Sequence, residues 1–345
     1  MMNHNDGSTF ALVDAPSILE QLFSGWGIAL AQHPFPLGAI ICALSYIWFR
    51  RVIDLPASRA VMLGRLGIYG PVLILGTAAM TSTLTGLAPA ATMMGGNGAW
   101  FRIAALAATT LVLAVTALAL AREALPPAGE RALIPHRSWR EFAPMAGLTA
   151  LALVTLFFLA TEIWQATSEP EPHPLTDVMD PSRVVRDTGG VPPTALGWAN
   201  HGPSLIAIAA LVALLVWVLA IDARRPVASL RPSSEVRAER STTAKLLCGI
   251  ALGGALLGLG AVWLHSWAPS SGVVAVHDPE LGAGNLIISE TRGFVCLLGQ
   301  LGILVQASGA ALLLRIAVDT FRARRAIGTT VQTSAVSQQV SEQAK

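Results

Sequence analysis

Histidine and glutamate side chains stand where long apolar stretches of the chain begin or end. Glu162 comes near the end of one stretch, His201 at the start of the next, and His265 at the end of the one after that. Neutral imidazole binds Zn, Cu and Fe, and a carboxylate can complete such a ligand set. Two imidazoles alone make an incomplete set, so a site built on His201 and His265 needs a third ligand from His33, His173, His277 or a carboxylate.

Tryptophans accompany these histidines. Trp198 precedes His201 in WANH, and Trp263 and Trp267 bracket His265 in WLHSW. Indoles beside imidazoles suit a flat aromatic cofactor, so haem or a transition metal is the candidate cofactor. The same residues are also typical of helix ends at a membrane surface, where tryptophans form interfacial belts and water satisfies the imidazoles. Both interpretations stay open on the sequence alone.

A second set of polar residues lies within apolar stretches. It comprises Gln300, Gln306 and Ser308 in GQLGILVQASGA, with Thr81 and Thr83 in TAAMTSTLTG. In lipid such groups either hydrogen-bond between helices or line the path of a solute. Because lipid cannot satisfy an amide, both glutamines are expected to face the interior of the protein.

The composition places all these residues in a membrane protein. Of the 345 residues 53% are hydrophobic and only 13% are charged, with a mean hydropathy of +0.58. Seven windows approach the roughly 20 apolar residues that a helical span needs. They run over Pro36–Phe49, Leu66–Leu87, Ile103–Leu120, Phe142–Ile163, Ser204–Ile221, Leu246–Trp263 and Gly293–Leu314. We therefore expect an all-α bundle of seven transmembrane helices.

Basic residues predict the orientation of this bundle. With the N-terminus outside and the C-terminus in the cytoplasm, only Arg102, Arg183, Arg186 and Arg292 of the 23 basic residues lie outside. The other 19 then lie inside, as the positive-inside rule requires. Six of the seven histidines and twelve acids fall on the outer side, which gives net charges of −8 outside and +10 inside. An anionic outer face attracts cations.

Glu162 can be interpreted in two clearly different ways. It lies about 20 residues into the fourth span, counted from Phe142, and so at the outer rim of the membrane. Here a carboxylate is either solvated or ion-paired, with Arg102 or Arg292 as the nearest candidates, or it belongs to a functional site.

The chain divides into three parts. Residues 1–35 form an outer segment with an interfacial amphipathic helix over Ser17–Gln32, residues 36–325 form the seven-helix domain, and residues 326–345 form a disordered cytoplasmic tail. Long outer loops cover 164–202 and 265–291. Two short apolar runs in the second loop, within GVVAVHDPELGAGNLIIS, predict a hairpin that closes over the outer side as a lid.

Three classes of function fit this pattern in a cell (plasma or inner) membrane. The first is a small-solute transporter or the membrane component of one, and the second is a haem or metal protein in redox or cofactor handling. The third is an accessory or assembly subunit that binds a partner through the glycines of the sixth span, GIALGGALLGLGA. Motifs for phosphate loops, nucleophile elbows and dinucleotides are absent from the sequence, which argues against common enzyme classes. The basic residues lie beside the spans and predict contact with anionic lipid rather than nucleic acid.

Overall fold

Seven apolar helices dominate the part of the chain that the structure describes. The computed structural model describes residues 33–48, 53, 55–87, 99–123, 125, 127, 138–167, 198–228, 231–270, 273–277, 285–289 and 293–343, some by backbone alone. The helices are α1 Pro34–Trp48, α2 Ala60–Leu87, α3 Ala99–Arg122, α4 Met145–Thr167, α5 Trp198–Arg224, α6 Ser233–Ser270 and α7 Gly293–Gln343. Short 3-10 turns at Ala57–Arg59 and Trp139–Glu141 precede α2 and α4.

Six helices of the described chain, α2 to α7, are long and apolar enough to cross a bilayer. The protein is thus an all-α, multi-pass membrane protein whose apolar outer surface requires a lipid bilayer. Helix α1 has 15 residues, or about 22 Å at 1.5 Å per residue, against a hydrocarbon core of about 30 Å. Its length alone therefore does not establish a seventh span.

Helix α1 is nonetheless part of the bundle, because it packs on α7. The hydroxyl of Tyr46 donates a hydrogen bond to Asp319 at 3.0 Å, and Arg315 donates one to the Ser45 hydroxyl at 2.8 Å. The guanidinium of Arg315 also lies 3.4 Å from the centre of the Tyr46 ring. These polar contacts fix the end of α1 that leads into Arg50 and Arg51.

Helix α6 is the centre of the bundle and contacts α2, α3, α4, α5 and α7. Glycines on α6 and α7 let these two helices come close. A Cβ on Gly253 of α6 would stand 2.6 Å from Leu313 of α7, and a Cβ on Gly309 of α7 would stand 2.8 Å from the carbonyl oxygen of Gly253. Gly260 meets Gly302 in the same way, seven residues further along each antiparallel helix. Such contacts let two backbones approach without intervening side chains.

The glycine-rich face of α6 is therefore covered within the chain. Gly249, Gly253 and Gly260 pack on α7, while Gly254 and Gly258 pack on Thr109 and Leu106 of α3. The predicted contact of this face with a partner protein stays a prediction, and a partner would have to compete with the chain's own helices for these small residues.

The hairpin predicted after the sixth span is present. Strand β1, Val273–His277, pairs antiparallel with β2, Asn285–Ser289, from the pair Val273 and Ser289 to the pair His277 and Asn285. Its action as a lid stays a prediction. Both predicted outer loops are shorter than expected, because α4 continues to Thr167, α5 begins at Trp198 and α6 continues to Ser270.

Two further predictions concern the ends of the chain. The interfacial helix over Ser17–Gln32 lies outside the described residues. The backbone of α7 is helical to Gln343. The disordered cytoplasmic tail over 326–345 stays a prediction.

Candidate functional site

Three buried polar side chains meet at one end of the bundle. Arg102 of α3, Glu162 of α4 and His201 of α5 are 0%, 0% and 1% exposed. Nη1 of Arg102 lies 3.0 Å from Nδ1 of His201, Nδ1 is hydrogen-bonded to Oε2 of Glu162, and the Arg102 and Glu162 side chains form an ion pair at 3.8 Å. We call these residues the outer cluster, after the side of the membrane that the sequence predicts for them.

The imidazole of His201 gives the outer cluster two arrangements. Nδ1 carries either a hydrogen or a lone pair, so it cannot donate to Glu162 and accept from Arg102 at the same time. With the hydrogen in place, Nδ1 donates to the Glu162 carboxylate. Without it, Nδ1 accepts from the Arg102 guanidinium. The position of one proton therefore decides whether Nδ1 of His201 is hydrogen-bonded to Arg102 of α3 or to Glu162 of α4.

A larger group of charged residues gathers at the opposite end of the same helices. We call it the inner cluster, again after its predicted side; it comprises Arg59, Glu123, Asp222, Arg225, Arg231, Glu239 and Arg240. Arg59 is at its centre, with Nη1 2.6 Å from Asp222 and Nε 2.7 Å from Glu239. Arg240 donates to the carbonyl oxygens of Ala223, at 2.7 Å, and Arg225, at 2.5 Å, which caps the end of α5.

Arg59 is charged whenever the inner cluster is intact. Burial lowers the pKa of Arg59, but the carboxylates of Asp222, Glu239 and Glu123 more than compensate, and the pKa lies above its ordinary value. Asp222 lies at the end of α5 and Glu239 near the start of α6. A permanent charge at Arg59 thus joins the turn before α2 to both helices.

The two clusters are separated by the thickness of a membrane. Arg102 and Glu123 are 21 residues apart along α3 and its end, and His201 and Asp222 are 21 residues apart along α5. At 1.5 Å per residue either interval is about 31 Å, close to the hydrocarbon core of a bilayer. Between them the interior is packed with apolar side chains such as Leu113 and Leu215, both buried.

The structure brings together some of the residues predicted for a metal or haem site. Glu162 and His201 are in contact, and Arg102 is the ion-pair partner that the sequence suggested; Glu162 is buried, however, and so it is not solvated. His33 is exposed before α1. His173 lies outside the described residues, and His265 and His277 are described by backbone only, in α6 and β1.

The predicted flanking tryptophans Trp198 and Trp263 have different surroundings. Trp198 is 58% exposed, whereas Nε1 of Trp263 donates a hydrogen bond to the Thr161 hydroxyl at 3.0 Å, beside Glu162. Trp267 is described by backbone only. Within the described residues no group of three or more His, Cys, Asp or Glu side chains has the arrangement to hold a metal ion. His201 also has the positive charge of Arg102 beside it, which opposes cation binding.

The predicted polar residues of spans two and seven divide into two groups. Gln306 is buried and, with Thr81, Ser82 and Phe35, lines a small cavity between α1, α2, α3, α6 and α7. Gln300 and Ser308 are exposed, so the expectation that both glutamines face the interior holds for Gln306 and fails for Gln300. The hydroxyls of Thr81 and Ser308 donate to their own helices' carbonyls, and Thr83 is described by backbone only.

Sequence reasoning missed the inner cluster. It treated Arg59, Glu123, Asp222 and Glu239 as loop charges, because each stands at the margin of an apolar window. A usable signal was present in the heptad spacing of Arg102, Thr109, Thr116 and Glu123, which puts polar groups along one face of α3.

A comparison with known protein families finds no matching family, and comparisons with curated proteins and with solved structures find no match either.

Proposed function

We propose that the protein is a small-solute transporter of the cell (plasma or inner) membrane, or the membrane component of a transport complex. In this proposal all seven helices cross the bilayer, with the N-terminus outside and the C-terminus in the cytoplasm. The observation that carries the proposal is the pair of buried charged clusters, 21 residues apart on α3 and α5, at the two ends of an apolar interior. The outer and inner clusters then act as the two closures of one path.

Energetic cost supports a role for the outer cluster beyond packing. A charged side chain inside a bilayer costs several kcal/mol and is retained mainly where function needs it. Replacing a buried ion pair by apolar side chains is often neutral or stabilising, so stability alone is a weak reason to keep Arg102 and Glu162. The exchangeable hydrogen bonds of His201 give such a closure two hydrogen-bonded arrangements.

A polar seam between the clusters supports the same proposal. Thr109 and Thr116 of α3 are buried, at 0% and 3% exposure, and share the helix face of Arg102 and Glu123. The hydroxyl of Thr109 donates to the carbonyl oxygen of Ala105, and the hydroxyl of Thr116 donates to that of Val112. Each hydroxyl keeps a lone pair that can accept a hydrogen bond. The seam is closed in this conformation, because Gly254 of α6 packs directly on Thr109.

Solute uptake into liposomes containing the purified protein tests this proposal. The panel consists of labelled amino acids, sugars, carboxylates and inorganic ions, each with and without a pH gradient. We expect saturable uptake of at least one class, loss of that uptake in Glu162→Gln, and normal uptake in Glu141→Gln, which changes an exposed acid in the turn before α4. Absence of saturable uptake across the panel, with a Soret band or bound metal in the purified protein, would favour the haem or metal alternative. Absence of all three would favour an accessory subunit.

A further inference from the structure

A cavity opens among the arginines of the inner cluster. It has a volume of about 130 Å³ and is lined by Arg59, Glu123, Arg225, Arg231, Glu239 and Arg240, with Pro226, Val227, Ala228 and Val236. Its polar wall comes from the turn before α2, the ends of α3 and α5, the segment that joins α5 to α6 and the start of α6. Its apolar wall comes from that same segment and from Val236 of α6. A space of this size takes several water molecules or one small polar group.

One arginine in this cavity has unused hydrogen-bonding capacity. Arg59 is only 7% exposed, and its Nη2 lies 3.7 Å from Oε2 of Glu123. Its Nε is 2.7 Å from Glu239, yet the N–H direction makes no hydrogen bond to any described residue. A buried guanidinium with an unsatisfied N–H group is costly unless a ligand or water accepts from it.

Glu123 occupies the position that an anionic ligand would take. Its Oε2 lies between two guanidinium groups, 2.7 Å from Nη1 of Arg225 and 3.7 Å from Nη2 of Arg59. Its side chain is 37% exposed and follows the last residue of α3, so it can turn outward without disturbing a helix. Glu123 therefore stands where a phosphate oxygen would bind.

The charges of the inner cluster fit this exchange. With Glu123 in place, four arginines face three carboxylates, those of Glu123, Asp222 and Glu239. Turning Glu123 outward leaves four arginines against two, an excess of two positive charges. A phosphate group at neutral pH carries between one and two negative charges and offers several acceptor oxygens for the arginine forks.

We propose that this cavity is a binding site for a phosphate group, carried by an inner-leaflet lipid or by a soluble compound, which displaces the Glu123 carboxylate and binds between Arg59, Arg225 and Arg231. The inner cluster is also the proposed inner closure of the path, but the phosphate site is argued from the contacts within that cluster and does not require that the protein transports a solute. In this site the phosphate group competes with the Glu123 carboxylate for the arginines. Removing the Glu123 charge therefore strengthens phosphate binding, and removing the Arg231 charge weakens it.

The test uses the full chain, with two probes that separate the two sources of phosphate. The first probe is ³²P-labelled inorganic phosphate, measured by equilibrium dialysis against the detergent-solubilised protein. The second is phosphatidylglycerol retained by the protein from nanodiscs that also contain phosphatidylcholine, counted by native mass spectrometry. Glu123→Gln is expected to tighten binding by about two- to fivefold, and Arg231→Gln to weaken it by a similar factor, as befits partly exposed charges.

Matched controls are Glu141→Gln and Arg140→Gln, which change exposed charges in the turn before α4. Phosphate binding with the expected response to Glu123→Gln and Arg231→Gln supports the site and indicates a soluble ligand. Retention of one phosphatidylglycerol with that response, without binding of inorganic phosphate, supports the site and indicates a lipid headgroup. Binding of neither probe, or responses equal to those of the controls, overturns the proposal.

Discussion

The two ends of α3 and α5 hold buried charge in contrasting ways. The outer cluster has three side chains, one from each of three helices, and each is 1% exposed or less. The inner cluster has seven charged side chains and several backbone carbonyl oxygens, and its members Glu123 and Arg231 are 37% and 35% exposed. Loss of Arg102 or Glu162 therefore removes the described ion-pair partner of the other buried charge, whereas the inner cluster can redistribute its contacts and admit water.

The largest expected effect follows from breaking the outer cluster on one side. Glu162→Leu removes the described carboxylate partner of buried Arg102, so we expect a loss of about 3–5 kcal/mol in the free energy of unfolding. The measurement is reversible unfolding in mixed micelles. A loss under about 1 kcal/mol would mean that Arg102 finds water or another partner, and the contrast between the clusters would then be wrong.

Replacing the whole outer cluster sharpens the same comparison. In Arg102→Leu, Glu162→Leu, His201→Leu no charge remains to be compensated, so we expect unfolding free energy near that of the wild type. Solute uptake should nevertheless be lost, because the exchangeable hydrogen bonds are gone. Full uptake by this triple variant would show that the cluster is only a packing element.

The next largest effect on the free energy of unfolding is expected where α6 packs closely on α7, between the two clusters. Gly253→Leu places side-chain atoms where Leu313 already stands, and overpacking of this kind costs about 1–3 kcal/mol. Gly76→Ala is the control, because no atom lies within 4 Å of the added Cβ. Equal unfolding free energies for the two variants would show that the close contact between α6 and α7 is not maintained in the membrane.

A smaller effect is expected at the inner cluster. Arg231 shares Glu239 with Arg59 and Ser58 and is about one-third exposed, so Arg231→Gln should cost no more than about 1 kcal/mol. Thermal unfolding at low and high salt measures this contribution, which salt should reduce further. A cost as large as that of Glu162→Leu would show that the inner cluster does not redistribute its contacts, and the two clusters would then not differ in this respect.

The smallest effects are expected at the glutamines of α7. Gln306→Leu removes a buried amide at the cavity with Thr81, for which about 0.6 kcal/mol is typical, while Gln300→Leu changes an exposed side chain and should have no measurable effect on unfolding. The reverse order would show that Gln300, and not Gln306, is held inside the bundle.

The helices could be predicted from the sequence, but most of their partners could not. Apolar windows of sufficient length identify six of the helices directly, because a spanning helix must cover its own backbone in lipid. The windows miss how far helices continue beyond the membrane, as α6 does from Ser233 and α7 does to Gln343. Polar residues beyond the span lower the hydropathy of a window without breaking a helix.

The residues of the outer cluster could be predicted from the sequence. Glu162 at the end of one apolar run, and Arg102 and His201 at the starts of others, stand at the same predicted depth, which was enough to suggest contact. Their burial was not predictable, since exposure depends on how α3, α4 and α5 pack. The inner cluster was harder still, because Asp222 and Glu239 read as ordinary loop charges until the turn at Arg59 brings them together.

The most direct test of the central claim is the accessibility of Ser204, which is buried one turn beyond His201 on α5 and makes no hydrogen bond through its hydroxyl to any described residue. The measurement is labelling of Ser204→Cys by an impermeant maleimide added outside intact cells, after Cys42, Cys248 and Cys296 have been replaced by alanine. If the outer cluster is the outer closure of a path, labelling should be absent with the cluster intact, appear with Glu162→Gln, and stay absent with Glu141→Gln. A folded Glu162→Gln variant, verified by circular dichroism and gel filtration, in which Ser204→Cys still does not react would contradict the account.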